Sequence, residues 1–308
     1  MSTVPREPVP PTTEQEKRGQ RLALMGALVN IALAILKLVA GVLGHSYALI
    51  ADAIESIADI IGSLVIWGGM RLASRPSDAK HPYGYGKAES LAAFVVSIMI
   101  FVAGLAIAVE AVREIMTPHH APAPFTLGVL VAVLIVKEFM YRAVRRAARA
   151  SGSTALETDS WHHRADALTS GAAFIGISIA LIGGPGYEPA DDWAALTAAC
   201  VILVTAGRLM ATPVRELLDA QSTEVGQKSA VIAASVDGIE NVQKAVARKA
   251  GAGYWVDMHA RVRPDMTVHD AHTLAHRVKD IIREQMPEVR DVLIHIEPAR
   301  QSQGPPSP

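Results

Sequence analysis

Four ionisable residues stand where ionisable residues are costly. Glu55 and Asp59 lie four apart within Ala48–Met70, a stretch otherwise apolar enough to span a bilayer. His162 and Asp166 repeat that spacing inside a second apolar run. On a helix, residues i and i+4 share a face, with Cβ atoms about 5–6 Å apart. Two such pairs on facing helices present three carboxylates and one imidazole, a nitrogen and oxygen set suited to a tetrahedral divalent cation. An acid at a bilayer centre costs roughly 2.5–3.5 kcal/mol on insertion scales and is tolerated where it pairs or lines a polar cavity. A divalent ion would offset two of the three negative charges. One pair alone is equally well read as polar glue between helices; the repeated spacing in two spans favours a site. Asp52 falls near the same face, one turn before Glu55, and reads as a supporting or helix-end residue. His163 points away from His162 and reads as surface or mouth-lining.

These residues need helices to hold them. A membrane-crossing helix takes about 20 mostly apolar residues. Six stretches qualify as candidates: Leu22–Leu43, Ala48–Leu72, Leu91–Val112, Phe125–Met140 with a basic extension, Ala155–Ile182 and Trp193–Ala211. The fourth is short and contains Lys137 and Glu138 near its end. Basic residues precede the first span (Lys17, Arg18, Arg21), join the second to the third (Arg71, Arg75, Lys80, Lys87), end the fourth (Arg142, Arg145, Arg146, Arg149) and follow the sixth (Arg208, Arg215). The opposite connections carry almost none. By the positive-inside rule both termini are expected in the cytoplasm.

Composition agrees. Half of the 308 residues are hydrophobic, aromatics make up only 5%, and the formal net charge is −1. Such a charge predicts neither a nucleic-acid nor an acidic partner. The single cysteine, Cys200, allows no internal disulfide and no thiolate cluster. The Pro-rich start lacks the apolar core of a signal peptide, so residues 1–20 are expected to be a disordered tail. The membrane domain is expected over 21–217, a cytosolic α/β domain over 218–299, and a second disordered tail over 300–308. In the cytosolic part, 253–262 and 289–297 alternate as strands do, and 242–250 is a candidate for another. Residues 226–238 and 267–286 have helical periodicity, the latter with Thr267 or Asp265 as its N-cap. That order suits a small open α/β sandwich. His259 and His295 would lie on two strands, and Glu297 would share a sheet face with His295. His269, His272 and His276 recur along one helix flank, where the plainer reading is a solvated face.

The segments "LIADAIESIADIIGSL", "HPYGYGKAES" and "DSWHHRADALTSG", with six spans and a cytosolic end, together resemble the cation diffusion facilitators from about Arg18 to Pro298. The resemblance implies a homodimer with a ferredoxin-like cytosolic domain, exporting Zn²⁺ or a similar ion against protons. It places the transport site at Glu55, Asp59, His162 and Asp166, matching the spacing argument. The first of these positions is more often His or Asp in that family, and the longer Glu leaves the preferred metal open. It implies a loop site at Asp78 and His81, but the family's third loop ligand is commonly His where this chain has Tyr85, so that site is expected to be weak or absent. It implies cytosolic ligands at His259, His272, His295 and Glu297, with Gln243 where a further His is usual. It also implies a charge interlock between Lys87 and Asp219.

The expected cargo is a divalent cation, Zn²⁺ first, with Fe²⁺, Mn²⁺ and Co²⁺ compatible with the same hard and borderline ligands. A multi-pass protein of a bacterial inner membrane is the expected setting. An intramembrane metalloenzyme is the competing class, but no HExxH occurs to supply two His ligands and a general base. A non-transporting regulatory member is the other alternative; such a member is expected to lose the ligand quartet that this chain keeps.

Overall fold

The computed structural model describes residues 14–43, 47–116, 126–183, 187 and 190–299. The chain divides at Val214 and Arg215 into two compact units. Among the described residues the first contains α1 Glu14–Leu43, α2 Tyr47–Ala73, α3 Lys87–Met116, α4 Thr126–Ser151, α5 Thr154–Gly183 and all but the last three residues of α6 Ala190–Leu217. Among the described residues three runs, Lys87–Met116, Thr154–Gly183 and Asp192–Leu217, are long and apolar enough to cross a membrane. The basic extension expected beyond Met140 continues α4 to Ser151, with Arg145 lying over Trp161 of α5.

Polarity in this unit runs opposite to that of a soluble protein. Leu28, Ile35, Val102, Ile135, Ile175 and Val204 are exposed, whereas Asn30, Asp59, Ser63, Glu89, Lys137, Asp159 and His163 are buried. Exposed apolar surface on this scale marks contact with lipid or a partner. Small residues bring the helices close. A Cβ at Gly69 would collide with Ala92 on α3, and one at Gly26 would lie 3.4 Å from the His163 ring. Two further contacts set α5. Gly152, at φ +65°, permits the sharp break between α4 and α5. Buried Glu89, from α3, accepts the Ser153 hydroxyl hydrogen bond at the start of α5. A carboxylate there also meets the positive end of the helix dipole. The register of His162 and Asp166, two to three turns further on, follows from that anchor.

The second unit is α7 Thr223–Ala234, β1 Asn241–Ala250, β2 Gly253–Val262, α8 Val268–Gln285 and β3 Val289–Pro298. The candidate strand at 242–250 is β1. The sheet order is β1-β2-β3, with β1 antiparallel and β3 parallel to β2. A hairpin turning at Gly251 (φ +67°) makes the first pairing, and the α8 crossover makes the second, as parallel pairing requires. Alternate β2 residues Val256, Met258, Ala260 and Val262 are buried; Val256, Met258 and Val262 pack with Val278 and Ile282 of α8. Thr267 is the N-cap of α8: its hydroxyl oxygen accepts the Asp270 amide at 3.1 Å and its hydroxyl donates to the Asp270 carboxylate at 2.7 Å. Of the tail expected over 1–20, residues 14–20 are helical and open α1, which corrects that expectation; residues 1–13 and the second expected tail, 300–308, lie outside the described residues.

Candidate metal centre

Asp59 on α2 and His162 and Asp166 on α5 converge, with one donor atom from each lying within 4.8 Å of the others. His162 Nε2 is 3.2 Å from Asp59 Oδ1 and 3.8 Å from Asp166 Oδ2. The i, i+4 spacing puts His162 and Asp166 on one face of α5, and that face is turned to α2. Glu55 lies one turn before Asp59 on α2; its side chain, like that of Asp52, lies outside the described residues.

Two residues outside the expected quartet complete the centre. Lys137 of α4 reaches in and donates from Nζ to Asp59 Oδ2 at 2.9 Å, Asp166 Oδ2 at 2.7 Å and Asn30 Oδ1 at 2.9 Å. Its side chain is only 2% exposed. Asn30, on α1, is itself steadied by its amide, which donates to Ser63 Oγ at 3.4 Å. The sequence signal for Lys137 was a lone cation in an apolar span, which demands an anionic partner. For Asn30 there was none, since its pattern is that of any polar residue on a buried face.

His163 corrects the expectation of a mouth-lining residue. It is fully buried beside α1, in the space that Gly26 leaves open. Its Nε2 is 3.9 Å from Asp159 Oδ2, and among the described residues neither side chain has a hydrogen-bond partner. The neighbouring Glu138 turns the other way along α4 and takes both hydrogen bonds of Arg164 Nη1, at 3.0 and 2.8 Å. Arg164 also lies over Tyr141, and Arg145 over Trp161. These contacts lock α4 to α5 and so aim Lys137 at the centre.

The loop between α2 and α3 is closed on itself. Asp78 Oδ1 accepts the amides of Lys80 and His81 at 2.9 and 2.7 Å, and Tyr85 donates its hydroxyl to Oδ2 at 2.6 Å. His81 Nδ1 lies 3.3 Å from Oδ1. The Tyr85 hydrogen bond, helped by the amides, pulls the Asp78 carboxyl down to about 2, and the same bond raises the Tyr85 phenol above its ordinary range. Tyr85 therefore keeps its proton and occupies a carboxylate oxygen that a metal would need.

On the sheet, His259 and His295 are register partners across β2 and β3. Their rings are 5.0 Å apart. His259 Nδ1 is 2.8 Å and His295 Nε2 4.0 Å from the same oxygen of Glu297. The His259 hydrogen bond holds the Glu297 carboxyl below the ordinary glutamate range, and the charge of Arg261 assists. Gln243, on β1, accepts from Arg261 Nη2 at 2.7 Å, while Arg261 Nε lies 3.7 Å from Glu297. The polar residue at that position thus fixes a cation at the rim of the cluster. The fourth expected member, His272, does not join it within the chain: its ring neighbour is His276 on α8, at 4.6 Å. Lys87 opens α3 in the first unit. Asp219, at φ 55°, follows α6 in the second unit, with Arg248 at 3.8 Å.

The chain matches two family models, the cation efflux transmembrane domain over residues 23–218 and the cation efflux protein cytoplasmic domain over residues 224–299. It is 31% identical over 303 residues to Metal tolerance protein C1 of Arabidopsis thaliana, an alignment covering 92% of this chain and 63% of that protein. The chain therefore spans less than two thirds of that relative. It is 27% identical over 291 residues to Manganese efflux system protein MneP of Bacillus subtilis, covering 93% of this chain and 98% of that one. With Magnetosome protein MamB of Paramagnetospirillum magneticum it shares 26% identity over 272 residues, 88% of this chain and 91% of the other.

Proposed function

Since the chain belongs to the cation diffusion facilitator family of membrane cation efflux proteins, we propose that it moves a divalent cation out of the cytosol, in exchange for protons, through a centre built by Asp59, His162 and Asp166 with Glu55. The observation that carries this reading is the convergence of three metal-type donors between apolar helices, within 4.8 Å of one another. Binding there needs ionised carboxylates and a neutral imidazole, so metal uptake releases protons and protons return the centre to its metal-free form. Oxygen donors with one imidazole suit Zn²⁺, Fe²⁺, Mn²⁺ and Co²⁺. The relationship to a protein named as a manganese efflux system supports keeping Mn²⁺ beside Zn²⁺.

We read all six helices as crossings, in a domain spanning 21–217, with both termini in the cytosol of an inner membrane. The cytosolic domain over 218–299 makes the chain a homodimer and holds a further ion at His259, His295 and Glu297, to which His272 contributes only from another chain. Lys87 and Asp219 are read as the interlock between the two domains. The Asp78 and His81 loop is read as a hydrogen-bonded turn without metal. The test is flux into liposomes containing the purified protein, with Zn²⁺, Fe²⁺, Mn²⁺, Co²⁺ and Cd²⁺ offered separately, with and without a pH gradient. Flux that needs the gradient and vanishes in Asp59→Ala is expected. Retained flux in a folded Asp59→Ala protein would sink the site assignment.

A further inference from the structure

Lys137 sits where a cargo ion would have to sit. Its ammonium bridges Asp59 Oδ2 and Asp166 Oδ2 at 2.9 and 2.7 Å, and those two carboxylates belong to the converging trio. An ammonium has three donors, and the third goes to Asn30 Oδ1 at 2.9 Å. A divalent ion binds carboxylate oxygen at about 2.0–2.2 Å. It cannot share the space between those two oxygens with a second positive charge. The geometry points to Lys137 as a tethered internal cation that fills the transport centre between loads, so that a divalent ion binds by displacing its ammonium from Asp59 and Asp166.

Three features make displacement workable. Asn30 is a neutral acceptor anchored to Ser63, so it keeps one hydrogen bond for the ammonium after both carboxylates have been surrendered. The lysine stem is a flexible four-carbon chain, so withdrawal needs side-chain rotation and no movement of α4. Glu138 and Arg164 pin α4 to α5 one residue away, which keeps the tether's root fixed while its tip moves. The consequence is charge balance. Without an ion or Lys137, two acids in an apolar setting would share only the His162 ring between them; with Lys137 in place the ion-free centre stays compensated as the carrier returns for its next load.

This inference rests on the proposed site, and the test separates the two. Zn²⁺ and Cd²⁺ affinities are measured on the full-length protein carrying His259→Ala and His295→Ala, which silence the cytosolic cluster. Removing the competing charge by Lys137→Met is expected to tighten binding by about tenfold or more while slowing turnover. Asp59→Asn is expected to abolish binding. Unchanged or weaker affinity in a folded Lys137→Met protein, with Asp59→Asn still abolishing it, overturns the inference alone and makes Lys137 a permanent brace. Retained affinity in Asp59→Asn overturns the site and the inference together. If Lys137→Met does not fold, a structure of the ion-loaded protein with native Lys137 decides. An ammonium withdrawn from at least one carboxylate is expected, and one still bonded to both overturns the inference.

Discussion

The ion pair at the centre makes an asymmetric prediction about stability. Asp59→Asn removes one of two anionic partners of Lys137, which keeps Asp166 at 2.7 Å and Asn30 at 2.9 Å. The loss is one charge-assisted hydrogen bond, about 1.5–3 kcal/mol. Lys137→Met is worse, because it leaves two carboxylates, 11% and 22% exposed, with only the His162 ring beside them. Stranding a buried charge costs about 3–5 kcal/mol. If the effects were independent, the double variant would lose roughly 4.5–8 kcal/mol by those same figures. It should lose no more than Lys137→Met alone, since only the better-solvated Asp166 is then left without the ammonium. A coupling of about 1.5–3 kcal/mol follows, well above the ~0.5 kcal/mol scatter of independent sites. Reversible unfolding in mixed micelles, followed by tryptophan fluorescence, measures it. Adding Zn²⁺ should restore part of the Lys137→Met loss by replacing the missing positive charge. Additive single effects would show that the two side chains do not share an electrostatic site.

The remaining predictions concern the loop and the sheet. Tyr85→His frees Asp78 Oδ2 and adds an imidazole beside His81, whose ring now lies 4.2 Å from that of Tyr85; calorimetry should find one more Zn²⁺ bound per chain, and an unchanged stoichiometry would refute the reading of Tyr85 as the residue that closes the loop. Asp78 has its carboxyl held at about 2, below its ordinary value of about 3.9, so its contribution to loop order is fully present above that ordinary value and is lost as pH falls through about 2. Carbon NMR titration of Tyr85→Phe should move the Asp78 midpoint back up towards the ordinary range, and no movement would remove the hydroxyl as the cause. On the sheet, Glu297→Gln should weaken cytosolic Zn²⁺ binding at least ten- to a hundredfold, the range seen when supporting ligand contacts are lost. His272→Ala should leave binding within the monomeric chain unchanged, and an equal loss in both variants would place His272 at the cluster after all.

What the sequence disclosed follows from periodicity. Residues 253–262 alternate, and β2 occupies that run with alternate side chains buried. The strand at 242–250 was harder to see because only Ala247 of β1 is fully buried. Lys244, Arg248 and Lys249 along it, of which only Lys244 is exposed, hide the alternation. The basic extension expected beyond Met140 belongs to α4. Hydropathy stops counting at Met140, but Arg142 and Arg145 continue the helix through contacts with Glu138, Tyr141 and Trp161. Only the Trp161 contact comes from α5, and no local rule contains that information.

The centre itself was half legible, and the missing half has a common cause. Spacing places two residues on one helix face but is silent about what a third helix inserts between them. Asp59, His162 and Asp166 were readable because their types and their i, i+4 repeat agree. His163 was misplaced because a histidine adjacent to a site residue projects about 100° away, which on a bundle helix can mean lipid, mouth or a second buried face. Gly26 decides among these by making room for the ring. Lys137 was visible as an anomaly, and its partner could have been inferred by counting. A span with one cation and no acid on its own inward face must find its anion on another helix, and acids without a basic neighbour on their own helix must find their cation the same way. Treating the two anomalies as one problem pairs Lys137 with acids of other helices, and the distances assign it to Asp59 and Asp166. It also shows why the bridge is an unstable resting place for an ion carrier: the residue that makes the acids tolerable without cargo is the one the cargo must move aside.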